Sequence, residues 1–428
     1  MPTDLQHFCT VVYQGEVEPL RACLASAEDL DTFINQPLFS FGQTAVHMVK
    51  DNLPLLDVLL EFGADINQKS EWEPGPFHIL EGTDPEIGGL LVERGATPDI
   101  FTYTSWDDQE AVLEVLREDP TQVHARGGDG VLPLHYAQSV AMATLLLDRG
   151  ANIDARCVDH ESTAAQYMVR QRPQVLDYLV EQGATIDIFL AIARDDRVTI
   201  SARLKEEPDS IEWRIGEGRY DVPTKDPMGK KGGNIYLWRL GGGLSPIEVA
   251  AWCGQRDAYE LLRPHASPRN RFAAAIRLGD VDTAKAEVAH DANLLENATP
   301  PLNTMLGDMV WNGKLESVEA LLNCGVPVDT RWNHGHTPLI VAALRGYPQI
   351  LQRLIEEGAD LTAKNEFGGA AAQSLAFASV QTPAFCPNPD GDYLACAMKL
   401  VAAGATLGPE DTIGRPDVLA CLRGNSAS

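Results

Sequence analysis

The clearest pattern of apolar and polar positions in this chain lies between residues 336 and 361, HTPLIVAALRGYPQILQRLIEEGADL. Pro338 indicates the first turn of a short helix, where the N–H that proline lacks has no intrahelical partner. Gly346 ends that helix, and a second one follows with four apolar residues on one face. These four are Ile350, Leu351, Leu354 and Ile355. Neither thin helix buries its apolar face alone, so the pattern predicts a helix pair that stacks on copies of itself.

Both ends of this unit recur along the chain. Near its end, Gly358-Ala359 supplies a glycine that is free to adopt positive φ where a helix ends. The same ending appears at Gly63-Ala64, Gly95-Ala96, Gly150-Ala151, Gly183-Ala184 and Gly404-Ala405, with Gly325-Val326 as a variant. The opening around Thr337 returns at Gln43 to His47, Gly75 to His78, Leu132 to His135, Ser162 to Gln166 and Ser245 to Glu248.

These openings and endings together resemble the ankyrin family, whose period is about 33 residues with a T-P-L-H-x-A core. The resemblance covers nearly the whole chain. It implies an all-α fold, an ankyrin-repeat solenoid of about twelve helix pairs. Two segments, residues 159–168 and 233–238, are also similar to uncharacterised bacterial multi-ankyrin-repeat proteins, a similarity that implies no particular activity.

Length and composition agree with a repeat array. A single compact core stops growing at about 250–300 residues, whereas a solenoid of 428 residues adds layers rather than diameter. No run of about 18 apolar residues occurs, and polar sequence follows Met1, so we expect a soluble, cytoplasmic protein without a signal peptide. The eight cysteines contain no C-x-x-C spacing, so we expect them to be reduced.

The charge balance is strongly acidic, with 61 acidic against 34 basic side chains and a net charge of −27. Nucleic acid is therefore not an expected partner, because its phosphates require a basic surface. The charge permits a basic protein partner that long-range electrostatics would attract. The simpler interpretation, which we favour, is that the charge only keeps the protein molecules apart in solution.

One irregular segment divides the predicted array. We expect an N-terminal array at residues 1–210, an inserted β-hairpin or loop at 211–243, and a C-terminal array with a capping helix at 244–428, all in one continuous solenoid. The alternation through residues 234–238 between flanking glycines favours strands. Three lysines, Lys225, Lys230 and Lys231, make the insertion locally basic.

The residues of types that can carry chemistry are better explained by structure. His47, His78 and His135 hold the fourth position of the opening, and the resemblance to the ankyrin family implies that the imidazole there ties one turn to the next. His334 and His336 offer two metal ligands, but the sequence identifies no third. Residues 159–161, Asp-His-Glu, fall on a turn where charged side chains are common. We therefore predict no catalytic residue, no metal site and no cofactor.

The predicted functional surface is a groove formed by the first helices and the turns. Residues that follow the fourth opening position should face it, and aromatic side chains are enriched at recognition surfaces. The candidate binding residues are Tyr136, Tyr167, Arg170, Tyr236, Trp238 and Trp252. The sequence thus favours a non-catalytic scaffold that recognises a protein partner through its concave groove. The alternative is a small-molecule binder or enzyme with a polar pocket where the hairpin meets the groove.

Overall fold

The computed structural model describes residues 3–27, 29–30, 33–220, 233–291, 294, 300–380, 388, 390–408, 411 and 413–424, and of residues 3, 4, 219 and 300–303 only the backbone. The described α-helices in the first half of the chain are α1 (Thr3–Gln14), α2 (Val17–Ala25), α3 (Ala45–Met48), α4 (Leu53–Glu61), α5 (Pro85–Glu93), α6 (Ile100–Ser105), α7 (Gln109–Glu118), α8 (Pro133–Tyr136), α9 (Val140–Asp148), α10 (Ala164–Met168), α11 (Pro173–Glu181), α12 (Ile188–Ala193) and α13 (Arg197–Glu206). Those in the second half are α14 (Tyr236–Arg239), α15 (Pro246–Trp252), α16 (Arg256–Leu262), α17 (Pro268–Leu278), α18 (Val281–His290), α19 (Pro300–Trp311), α20 (Leu315–Asn323), α21 (Pro338–Arg345), α22 (Pro348–Glu356), α23 (Ala371–Ala378), α24 (Tyr393–Ala402) and α25 (Pro416–Leu422). Short 3₁₀ turns lie at Ser40–Gly42, Pro120–His124, Gly128–Gly130, Pro208–Glu212, Gly218–Tyr220 and Asn333–Gly335.

The helix pairs begin and end where the sequence signals predict. The Thr337 hydroxyl accepts the backbone N–H of Ile340 at 3.3 Å and caps α21, and Gly346 ends that helix at φ 63°. In α22, Ile350, Leu351 and Leu354 are buried on the predicted face. The expected fold of stacked helix pairs is therefore confirmed.

The chain divides into two compact units. The first comprises Met1–Leu190 with Arg214–Gly242, and the second comprises Ala191–Trp213 with Gly243–Ser428. In the first unit, helices α1 to α5 enclose a core that includes Phe8, Leu56 and Leu91.

The second unit has a core of its own. Its helices α17 to α25 bury aliphatic and small side chains that include Phe272, Leu321, Ala342 and Leu400. Small residues on the first helix of each pair, such as Ala342 and Ala343, let α21 pack against α23 of the next pair.

The predicted β-hairpin at residues 211–243 is wrong in the parts that the structure describes. Tyr236–Arg239 forms one turn of α-helix, in which the Leu240 N–H donates to the Tyr236 carbonyl at 2.8 Å. Asn234, Ile235 and Tyr236 are all buried, so this segment lacks the alternate burial of a half-exposed strand, whose successive residues point to opposite faces.

This segment is held by contacts to the turn at residues 160–162 of the first unit. The Asn234 N–H donates to the His160 carbonyl at 3.1 Å, and the Ile235 N–H donates to the Ser162 hydroxyl at 3.2 Å. Across the described residues, β-pairing is limited to one isolated bridge between Arg156 and Thr163. Lys225, Lys230 and Lys231, the predicted basic cluster, lie outside the described residues.

Two further expectations concern membranes and thiols. None of the described helices combines the length and the apolarity that crossing a bilayer requires. The cysteines that the structure describes form no disulfide bond. Three of them are only partly buried: Cys9, Cys253 and Cys421.

Adjacent glycines in α5 provide a direct test of the packing. Gly89 has open space where a side-chain methyl group would lie, whereas a methyl group on Gly88 would overlap the ring of Trp106. We expect Gly89→Ala to raise the free energy of unfolding by about 0.5–1 kcal/mol through helix propensity. Gly88→Ala should lower it by about 1–2 kcal/mol through overpacking. Urea unfolding of both variants tests this, and changes of the same sign would contradict the packing of Trp106 on α5.

Candidate functional site

The second unit contains a cavity of about 840 Å³, which we call the aromatic groove. Three successive repeats build it from the C-terminal end of α19, the helices α21 and α23, and the turns that precede those two helices. Its lining includes Trp311, Trp332, His334, Phe367, Gln373 and Phe377.

Hydrogen bonds to backbone groups of the two turns set the spacing of the groove. The Arg331 guanidinium donates to the carbonyl oxygens of Gly335 at 2.7 Å and Lys364 at 2.8 Å. The Glu366 N–H donates to the His334 carbonyl at 3.0 Å. These hydrogen bonds fix the two turns relative to each other, and with them the positions of the His334 and Phe367 rings.

An aromatic pair forms the floor of the groove, and the partly buried carboxylate of Asp308 holds one of its rings. The rings of Trp311 and Trp332 lie 5.4 Å apart, and the Trp332 indole N–H donates to Asp308 Oδ1 at 2.7 Å. Burial raises the pKa of Asp308, although the Trp332 hydrogen bond opposes this shift. The Arg345 guanidinium lies 4.7 Å above the Trp311 ring as a cation–π contact. The floor is thus ordered before any ligand binds.

The rim of the groove exposes large apolar side chains. Phe367 is 74% exposed and Phe377 41% exposed, and the Phe367 ring lies 5.5 Å from that of His334. Polar groups nearby are engaged: Asn365 Oδ1 accepts the N–H groups of Phe367 and Gly369, each at 3.0 Å. An apolar side chain of a ligand therefore fits this surface better than a strongly polar one.

None of the binding residues predicted from the sequence lines this groove, because that prediction used the first helices and the insertion. The groove instead uses turn residues that precede a glycine, His334 before Gly335 and Phe367 before Gly368. The same position is occupied by Phe41, which is 54% exposed and has φ 60°. Aromatic residues before turn glycines were the signal that would have indicated this surface.

Of the predicted binding residues, Tyr136 lies in the first unit and its hydroxyl is already bound. It donates a short hydrogen bond to Glu81. The Gly128 N–H also donates to this carboxylate, at 3.0 Å to Oε1 and 3.2 Å to Oε2. Burial raises the pKa of Glu81 to about 7, and the bond to Tyr136 moderates that shift.

Tyr167 and Arg170 occupy the next repeat. The Tyr167 hydroxyl lies 3.1 Å from His160 Nδ1 and 3.5 Å from Cys157 Sγ. Burial raises the pKa of this phenol. Arg170 is exposed, with φ 62° in a turn after α10. The guanidinium of Arg239 lies 6.0 Å from the centre of the Tyr167 ring, so the insertion does reach this repeat.

The remaining predicted residues have different environments. Tyr236 is fully buried and donates to Asp187 Oδ1 at 2.9 Å, whereas Trp238 is 74% exposed. Trp252 belongs to the second unit, where Arg277 and Lys314 lie 5.9 and 5.8 Å from its ring centre. The binding roles proposed for these residues remain predictions.

Two of the three opening histidines, His47 and His135, tie one turn to the next, whereas His78 contacts Asn67, eleven residues before it. His47 Nε2 lies 3.2 Å from the Phe77 carbonyl, and His135 Nε2 lies 3.0 Å from the Ser162 carbonyl. His78 Nε2 lies 3.4 Å from Asn67 Oδ1. Burial lowers the pKa of both His47 and His135 to about 4, so these imidazoles are neutral at pH 7.

Two segments of the chain match models of a known family. Residues 321–373 match the family described as "Ankyrin repeats (many copies)", and residues 129–158 match the one described as "Ankyrin repeat". The first segment contains Trp332 and Phe367 of the aromatic groove.

Known proteins are similar to parts of this chain. Over 97 residues it is 34% identical to protein phosphatase 1 regulatory subunit 27 of Mus musculus, covering 23% of this chain and 63% of that protein. Over 98 residues it is 31% identical to ankyrin repeat and SAM domain-containing protein 6 of Mus musculus, covering 22% and 11%. Over 91 residues it is 32% identical to the E3 ubiquitin-protein ligase XB3 of Oryza sativa subsp. japonica, covering 21% and 20%. The chain thus spans less than two thirds of each of these relatives, which are eukaryotic and lend no support to the expected bacterial similarity.

Proposed function

Because the chain is an ankyrin-repeat protein, we propose that it is a non-catalytic scaffold that binds a protein partner in the aromatic groove. The observation that carries this proposal is the exposed rim of Phe367 and Phe377 above the ordered pair of Trp311 and Trp332. Large aromatic side chains at a preordered site are typical of binding hot spots. The similarity to a protein named as a regulatory subunit of protein phosphatase 1 also supports a role in protein association.

The partner that this groove fits carries a bulky apolar side chain flanked by lysine or arginine. The apolar side chain would occupy the space between Trp332 and Phe367. Basic flanking residues would meet Glu366, whose side chain is 68% exposed and lies beside His334 at the rim. The net charge of −27 would also speed the approach of a basic segment by long-range attraction.

A small apolar molecule is the second candidate ligand. The cavity volume of about 840 Å³ lies within the range of about 300–1,000 Å³ that small-molecule sites occupy. The polar groups near the groove favour the protein partner instead. The Gln373 side chain, for example, donates to Asp411 at 3.4 Å. A metabolite therefore finds few convergent donors or acceptors here.

Selection of short random peptides displayed on phage, using the whole chain as bait, tests the proposed partner chemistry. We expect the selected peptides to share a bulky apolar residue next to lysine or arginine. Raising NaCl from about 50 mM to about 500 mM should weaken their binding severalfold, since salt screens exposed charges. Fluorescence polarisation with a labelled selected peptide measures this. Peptides without a bulky apolar residue, or an affinity that salt leaves unchanged, would contradict the proposed partner.

A further inference from the structure

Two neighbouring turns of the first unit bring together side chains that no function described above uses. Asp129 lies at the tip of the turn at Gly128–Gly130, with φ 57°. Its carbonyl oxygen accepts the N–H groups of Val158 at 3.2 Å and Asp159 at 3.0 Å. These bonds fix the turn of one repeat against the turn of the next, and they place His160 beside both aspartates.

The three side chains offer a compact set of ligand atoms. One atom each from Asp129, Asp159 and His160 lies within 4.8 Å of the other two. Zinc binds carboxylate oxygen and imidazole nitrogen at about 2.0–2.2 Å, so two ligands of one ion are at most about 4.4 Å apart. Tetrahedral zinc ligands are about 3.4 Å apart, so side-chain rotations must bring the most widely spaced atoms of this set up to about 1.4 Å closer together.

Apart from His160 itself, no cationic side chain among the described residues pairs with the two aspartates. Asp129 Oδ1 accepts the neutral indole N–H of Trp72 at 3.0 Å, and Asp159 Oδ2 lies 3.4 Å from His160 Nδ1. Arg126, in the same turn as Asp129, donates instead to the carbonyls of Gly130 and Arg156. All three members of the cluster are half-buried, so water only partly screens the two carboxylates from each other.

We propose that Asp129, Asp159 and His160 bind a divalent transition-metal ion such as Mn²⁺ or Zn²⁺. The imidazole favours these ions over Mg²⁺ and Ca²⁺, which prefer oxygen ligands alone. The indole of Trp72 holds one carboxylate in place from outside the coordination shell. Three protein ligands leave coordination positions open, so the ion links the two turns and also presents a site for water or a carboxylate.

The second unit supplies a matched control for this site. His334 Nδ1 lies 3.8 Å from Glu366 Oε2 on equivalent turns, so an imidazole and a carboxylate are again adjacent. Among the described residues, three groups of the metal-ligating type lie within reach of one ion only at Asp129, Asp159 and His160. His334→Ala thus removes a similar surface histidine without removing the proposed ligands.

Mn²⁺ binding to the whole, chelator-treated chain tests the proposal, with free Mn²⁺ counted by electron paramagnetic resonance. Mn²⁺ is used because it avoids the cysteine thiols that also attract Zn²⁺. We expect one ion per chain, displaced by Zn²⁺. Asp129→Asn should weaken binding at least tenfold, and asparagine tolerates the positive φ at this position.

His160→Ala and Asp159→Asn should weaken binding to a similar extent, whereas His334→Ala should leave it unchanged. Metal-free variants are compared with the wild type by thermal unfolding, and those with the wild-type midpoint are used. Absence of stoichiometric Mn²⁺ binding to the wild type would overturn the proposal. So would binding that persists unchanged in the folded variants. The outcome is independent of the aromatic groove, because the two sites belong to different units.

Discussion

Replacing His135 with alanine is expected to lower the free energy of unfolding at pH 7 by about 2–3 kcal/mol. His135 Nδ1 accepts the Leu132 N–H at 3.3 Å, so its Nε2–H donates to the Ser162 carbonyl at 3.0 Å. The side chain is only 2% exposed. Alanine would leave the Leu132 N–H without a partner, would leave the Ser162 carbonyl with only the Cys157 N–H at 3.0 Å, and would leave a cavity behind.

The same substitution should also reduce the loss of stability in acid. Burial lowers the pKa of His135 to about 4 from an ordinary value of 6.5. As pH falls below about 6.5, the unfolded chain binds a proton at this histidine before the folded chain does. The stabilisation from neutral His135 is therefore complete above that pH and is lost as pH falls towards 4.

Other buried groups contribute to the pH dependence, so the test compares the variant with the wild type. His47 has the same sign as His135, because its pKa is also lowered to about 4. Glu81 has the opposite sign: its pKa is raised to about 7, so its contribution is lost as pH rises through that value. The difference between wild type and His135→Ala removes both of these common contributions.

Urea unfolding at several pH values measures this difference. The gap in unfolding free energy between wild type and His135→Ala should be largest near pH 7.5 and should shrink as pH falls to about 4.5. His124, exposed at the end of a 3₁₀ turn, is the matched control, and His124→Ala should change stability by less than about 0.5 kcal/mol. A gap that stays constant or widens in acid would show that His135 is not buried as a neutral imidazole.

Replacing Phe367 with alanine is expected to weaken binding of a peptide selected on the wild type by about 30-fold, or about 2 kcal/mol. Phe367 is 74% exposed, so its loss should leave the fold intact while removing the largest apolar surface at the rim. The remaining floor of Trp311 and Trp332 would then contact only one side of an inserted apolar residue.

Trp238→Ala is the control, because Trp238 is an equally exposed aromatic side chain in the first unit. It also belongs to the surface predicted from the sequence, so the pair of variants separates the two sites. Fluorescence polarisation with one labelled peptide measures both. Loss of affinity in Trp238→Ala with none in Phe367→Ala would exclude the aromatic groove. That result would instead support the surface around Tyr167 and Trp238.

The sequence by itself determined the helix pairs and their stacking. The signals for them act within a few residues of chain: capping residues such as Thr337, endings such as Gly358-Ala359, and the spacing of Ile350 to Ile355. Each is a local preference that needs no knowledge of distant contacts. The structural role of His135 was also predictable, because its partner at Ser162 lies one repeat further along and the repeat fixes that separation.

Only the tertiary structure decided the conformation of the insertion and the location of the two candidate sites. The segment around the helical turn Tyr236–Arg239 is not a strand, because contacts to His160 and Ser162, more than seventy positions before Asn234 and Ile235, bury consecutive side chains. The aromatic groove joins Trp311 to Phe377, and the proposed metal site joins Asp129 to His160. Such sites depend on which side chains meet across layers, and a repeat pattern specifies the layers without specifying the residues that vary on their turns.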